Sequence, residues 1–156
     1  MPDSRKHAPS RFWEDVPAGE KRRSAPMTVS GEEMIAFARQ FDPQFFHWDE
    51  EAAKASLFGG VIASGIYTAA LWRRMDHTIN GDTAFVCGVG WDNVKWRKAV
   101  RAGDTLYVTS ECVSKRPSAS RPEAGIAVLH HEVINQHGEA VLAFDSTDLI
   151  YRRKQT

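Results

Sequence analysis

Leu57-Phe58-Gly59-Gly60-Val61-Ile62-Ala63-Ser64-Gly65 is the stretch on which the reading of this chain turns. Gly59-Gly60 breaks whatever precedes it, and Ser64-Gly65 opens an apolar run of Ile66, Tyr67, Ala69, Ala70, Leu71, Trp72 and Met75 that stops at Asn80-Gly81. The spacing predicts a helix that is apolar over most of its circumference and therefore largely enclosed. Just upstream, Phe41-Asp42-Pro43-Gln44-Phe45-Phe46-His47 sets a carboxylate and an imidazole five residues apart among aromatic rings. An acid and a base held close can divide a proton transfer, and the amides that open a helix can stabilise developing negative charge, so the two stretches together point to an enzyme.

The bulk composition narrows the alternatives. At 156 residues the chain is long enough for one domain with a real core. Its 20 basic and 20 acidic side chains cancel, leaving no global field to attract nucleic acid or an anionic membrane. Cys87 and Cys112 are the two cysteines, without a CxxC or a close Cys/His set. Neither a disulfide framework nor a metal site is expected, and a reducing, cytoplasmic setting follows. No apolar run nears the roughly 20 residues that span a bilayer, and Met1 to Ser10 has no apolar signal core, so a soluble, unprocessed chain is expected. Residues 1 to 11 offer almost nothing to bury; a loose arm over 1 to 20 is expected to precede a single domain over 21 to 153.

Ser30-Gly31-Glu32-Glu33 has the form of a capping box, and Met34, Phe37, Ala38 and Phe41 then recur at helical spacing. A helix over 31 to 41 should end at Asp42, because Pro43 pushes its predecessor out of the α region. Asp49 is a good N-cap for a second short helix through Ala55, which confines His47 to the turn between. The second half reads as four long strands, Ala84 to Arg97, Thr105 to Ser114, Ile126 to Asn135 and Glu139 to Tyr151, with Met27 to Val29 as a leading strand. Arg101-Ala102-Gly103-Asp104 and Gln136-His137-Gly138 are turns, and Lys115 to Gly125 is a long loop. Helices on one side of an antiparallel meander is an α+β architecture.

With these elements placed, the chain resembles the MaoC-like acyl dehydratases, which include the (R)-specific enoyl-CoA hydratases of the hot-dog fold. The resemblance rests on Asp42 and His47 at the family's spacing, on Phe58-Gly59 and Ile62-Ala63, on Gly65 at the helix-opening glycine, and on the turn Gly103-Asp104-Thr105-Leu106. It covers about residues 25 to 150. Gln44-Phe45 replaces the usual Asn-Pro between the pair, and Ser64 stands where the family has histidine. The resemblance implies a long sheet wrapped around a central helix, a homodimer or higher homo-oligomer, and hydration of a 2-enoyl-CoA or dehydration of a 3-hydroxyacyl-CoA. Asp42 and His47 would share one water, and the Gly65 N–H would bind the thioester oxygen at the helix's positive end. Coenzyme A would enter as part of the substrate, with no separate cofactor. A hot-dog thioesterase and a non-catalytic acyl-binding subunit are the rival readings.

Burial beside Phe41, Phe45, Phe46 and Trp48 is expected to raise the Asp42 pKa. Ser64 is read as a helix N-cap, with hydrogen bonding to substrate as its alternative role. Arg116 and Arg121 are candidate contacts for coenzyme A phosphates, against the alternative of a solvated loop, and Lys95, Arg97, Lys98 and Arg101 offer the same chemistry. His130 and His131 are neighbours on a strand and face opposite ways, and Trp91 and Trp96 are read as packing residues, with the lining of an acyl tunnel as the alternative.

Overall fold

The structure, a computed structural model, describes residues 8–155. Its elements in chain order are β1 (Lys21–Arg23), β2 (Met27–Thr28), α1 (Gly31–Phe41), α2 (Glu50–Lys54), α3 (Gly65–Asn80), β3 (Phe85–Trp96), β4 (Thr105–Pro117), β5 (Ala124–Ile134) and β6 (Ala140–Tyr151). The strands form one antiparallel sheet in the order β1-β4-β5-β6-β3, with β2 also on β4, and α3 lies against it. This is the α+β hot-dog architecture.

Side chains alternate along β4 and β5, and the inward set of Leu106, Val108 and Val133 meets Tyr67, Leu71, Trp72 and Met75 of α3. Phe144 of β6 completes the contact, edge-on to Trp72 at 4.7 Å. Ser30 caps α1 by accepting from the Glu33 N–H at 3.2 Å, and α1 ends at Phe41 as the following proline requires.

Three expectations are corrected. β3 pairs with β6 instead of β4, so only β4-β5-β6 is a meander; alternation marks a strand without naming its neighbour. The link Arg97 to Asp104 crosses the end of the sheet, held by the Ala63 N–H to the Val100 carbonyl at 2.8 Å. α3 is enclosed on one face only, for Ile66, Ala70, Arg73, Arg74, His77 and Thr78 are exposed. The long loop shrinks to 118–123, because β4 and β5 continue into it.

Of the arm expected over 1 to 20, residues 1–7 lie outside the described residues, and the remainder is tied down. Arg11 bridges to Thr83, Val16 is buried, and the Trp13 indole donates to the Ile126 carbonyl at 3.1 Å. Gly125 makes room for that ring, since a Cβ there would stand 2.4 Å from it. Lys115 then donates to the Trp13 and Val16 carbonyls. β1, three consecutive basic residues with no apolar alternation, gave no strand signal and pairs on the outer edge of β4.

His130 and His131 do face opposite ways. His130 lies against Asp145 at 2.7 Å, while His131 is buried between Trp72 and Phe144. Ser146 donates to Asp148 at 2.6 Å and so accepts from the His131 Nε2–H at 2.9 Å. The His131 Nδ1 has no hydrogen-bond partner and stands 3.7 Å from Asp76. Burial, with the nearby Arg73 and His130 charges, lowers the His131 pKa from 6.5 to about 3. The unfolded chain therefore takes up this proton first on acidification, and stability is lost as the pH falls from 6.5 toward 3. Burial raises Asp76 and Asp148, which act in the opposite sense. Urea unfolding between pH 7 and pH 4 should show a shallower acid loss in His131→Phe than in the wild type, by up to about 1.4 kcal/mol per pH unit. Parallel curves would refute the buried neutral imidazole.

Candidate active site

Two turns are stitched together at the N-terminus of α3. The first leaves α1 at Asp42, whose N–H still donates to the Ala38 carbonyl at 2.9 Å, and passes into a 3-10 turn over Phe45–His47. The second is the approach to α3. The Ile62 N–H donates to the Phe46 carbonyl at 3.1 Å, and the His47 Nδ1–H donates to the Ile62 carbonyl at 2.8 Å. That bond fixes the tautomer and leaves the Nε2 lone pair facing Asp42 Oδ2 at 3.4 Å. Phe46 packs edge-on against the imidazole, with ring centroids 4.4 Å apart.

Asp42 is held on both oxygens. Gln44 donates to Oδ1 at 2.9 Å, and the Ser64 hydroxyl donates to Oδ2 at 2.6 Å. The Ser64 bond holds the Asp42 carboxyl below the ordinary aspartate value, partial burial opposes it, and the Gln44 amide adds to the downward pull. The expected rise is therefore reversed. Phe41 and Phe45 are 59% and 49% exposed, so these rings face solvent and do not desolvate the carboxylate.

A cleft of about 550 Å³ opens in front of the pair. Asp42, His47 and Gly65 line it together with Phe58, Ile62, Ile66, Trp96 and Val100. The Gly65 N–H, at the first position of α3, has no hydrogen-bond partner among the described residues. The Trp96 indole donates to the Gly65 carbonyl at 3.0 Å, and a Cβ at Gly65 would meet that ring at 2.8 Å. Glycine is needed here for close approach.

Asp42, His47 and Gly65 thus meet as the sequence suggested. Ser64 lies behind Asp42 and does not line the cleft. Arg116 and Arg121 are not brought to it. The strand row of Trp96 runs through Leu142 and Val133 to Val108, and Arg116 lies eight positions further along β4, on the order of 25 Å away. Arg121 is beyond it, in the turn, 3.7 Å from Glu123. The cations at the mouth are Arg97 and Lys98. Trp96, read from sequence as packing with the lining of an acyl tunnel as its alternative, is a cleft wall; nothing in a strand pattern signals that its last residue reaches a helix end. Gln44 was also missed as an Asp42 partner, although its place between the acid and the base was a signal.

The MaoC-like domain family matches residues 14–133. The chain belongs to that family. This MaoC-like domain is 32% identical over 136 residues to the uncharacterized protein YdeM of Bacillus subtilis, covering 86% of this chain and 94% of that one. It is 36% identical over 101 residues to 3-hydroxyacyl-thioester dehydratase Z of Mycobacterium tuberculosis, covering 62% and 66% of the two chains. The crystal structure of the MaoC-like dehydratase from Rhodospirillum rubrum superposes with a TM-score of 0.84 at 36% identity, over 94% of this MaoC-like chain and 100% of that one.

Proposed function

We propose that this chain is a hydro-lyase that adds water across the C2–C3 double bond of a 2-enoyl-CoA thioester, or removes it from the 3-hydroxyacyl thioester. The observation that carries the reading is the pair of acceptors, Asp42 Oδ2 and His47 Nε2, 3.4 Å apart in the cleft that Gly65 also lines. Similarity to a 3-hydroxyacyl-thioester dehydratase supports it. Both acceptors take hydrogen bonds from one water. Its oxygen attacks C3 while His47 Nε2 receives a proton, and the imidazolium forms beside the Asp42 carboxylate. The electron pair moves through C2 onto the thioester oxygen, which the Gly65 N–H stabilises at the positive end of α3. The proton then passes to C2, so the double bond is replaced by C3–OH and C2–H. Carboxylate and imidazole are sufficient for these transfers, and no metal or redox step is invoked.

Arg97 and Lys98 would meet the phosphates of the coenzyme A handle. A homodimer or higher homo-oligomer is proposed through β3, an edge strand exposing Val89 and Trp91. The free thiols of Cys87 and Cys112 suit a reducing cytoplasm. The test is incubation with crotonyl-CoA. Loss of the conjugated-enoyl absorbance without free thiol is expected; thiol release would replace this reading with a thioesterase, and binding without turnover would replace it with an acyl-binding subunit.

A further inference from the structure

Ser64 is buried, with 0% exposure, and the hydrogen bonds of its side chain run along one line. The Ile66 N–H, one of the orphan donors at the start of α3, donates to Ser64 Oγ at 3.2 Å, and Ser64 Oγ donates to Asp42 Oδ2 at 2.6 Å. A hydroxyl has a single proton, and the acceptor-only carboxylate takes it. We infer that Ser64 is a positioning residue for Asp42, coupling the N-terminus of α3 to the carboxylate and leaving no hydroxyl proton for the substrate. The inference rests on the hydratase reading for its catalytic consequence, while the Ser64–Asp42 coupling itself stands on the distances.

The arrangement lets one helix end serve two negative charges. Gly65 lines the cleft, and its N–H, unpartnered among the described residues, would meet the thioester oxygen there. The next donor, at Ile66, faces the other way and reaches Asp42 through the serine, and hydrogen bonds in such a chain polarise one another. Gln44 holds the second oxygen, so the carboxylate plane is fixed with its Oδ2 edge toward His47. An oriented carboxylate that remains an anion accepts from the water and favours the imidazolium as it forms.

Two variants separate this from a capping role. Ser64→Gly removes the hydroxyl at a capping cost of only a few tenths of a kcal/mol, and Ser64→Thr restores an oxygen. Turnover of crotonyl-CoA should fall about tenfold in Ser64→Gly with KM little changed, and return in Ser64→Thr. Unchanged turnover in Ser64→Gly overturns the inference, and a KM raised about tenfold or more would make Ser64 a substrate contact. The carboxyl titration of Asp42 by carbon NMR reads the coupling without turnover. The wild-type midpoint should fall below the ordinary value of about 3.9, and Ser64→Gly should raise it. A wild-type midpoint at or above that value overturns the inference whether or not either variant folds. If the wild type fails to hydrate crotonyl-CoA, the hydratase reading falls, and this titration alone decides the role of Ser64.

Discussion

Asp42→Asn is expected to lower the turnover of crotonyl-CoA by about 10²–10⁴-fold, the range a positioned acid or base contributes. The substitution keeps the side-chain shape and an oxygen for the Ser64 hydroxyl, so the melting temperature should hardly move. What it removes is the charge beside the His47 Nε2, 3.4 Å away, and with it the support for a forming imidazolium. His47→Ala should fall by a similar factor, and the double variant by little more than either single one, because groups acting as a unit are not additive. Circular dichroism of His47→Ala is the necessary control, since the ring also donates to the Ile62 carbonyl. Near-native rates in both folded variants would remove the catalytic assignment.

Phe144→Ala is expected to cost about 3–5 kcal/mol of unfolding free energy, whereas Phe144→Leu should cost less than about 1.5 kcal/mol. Phe144 is buried at the junction of sheet and helix, stacked on Trp91 at 4.2 Å and edge-on to Trp72 at 4.7 Å. Truncation leaves a hole on the helix-facing side of β6, beneath the element whose first amide lines the cleft. Total stability of a single domain is about 5–15 kcal/mol, so the loss is a large share of it and is readable by urea titration. A cost below about 1 kcal/mol would mean that this aromatic cluster is not what seats α3 on the sheet.

The order in which the elements became legible follows from the range of the interactions that make them. α1 and α3 came out with their observed ends because caps and stops are local: Ser30 and Ser64 each bond an amide two or three residues on, and Pro43 acts on its neighbour. The pairing of β3 with β6 did not, since it depends on a crossover spanning the whole sheet. Trp13 and Val16 were read as part of a loose arm because their burial needs Gly125 and Lys115, more than a hundred residues away for Trp13 and about a hundred for Val16.

The site divides in the same way. Asp42, His47 and Gly65 were picked out by the resemblance to the MaoC-like family, and the structure brings them to one cleft. The direction of the Asp42 pKa was not, because a list of neighbouring aromatic residues does not say which of them face solvent, and the residue that decides it, Ser64, comes from 22 positions downstream. The distance of Arg116 and Arg121 from the cleft was hidden for a similar reason: a basic loop suits phosphate wherever it lies, and only strand register reveals that it sits at the other end of the sheet.

The most direct measurement is a crystal structure of Asp42→Asn bound to crotonyl-CoA. A thioester oxygen within hydrogen-bond distance of the Gly65 N–H, with C3 facing a water held by residue 42 and the His47 Nε2, is the predicted result. An acyl group lying outside the cleft, or one whose carbonyl carbon rather than C3 faces that water, would contradict the account.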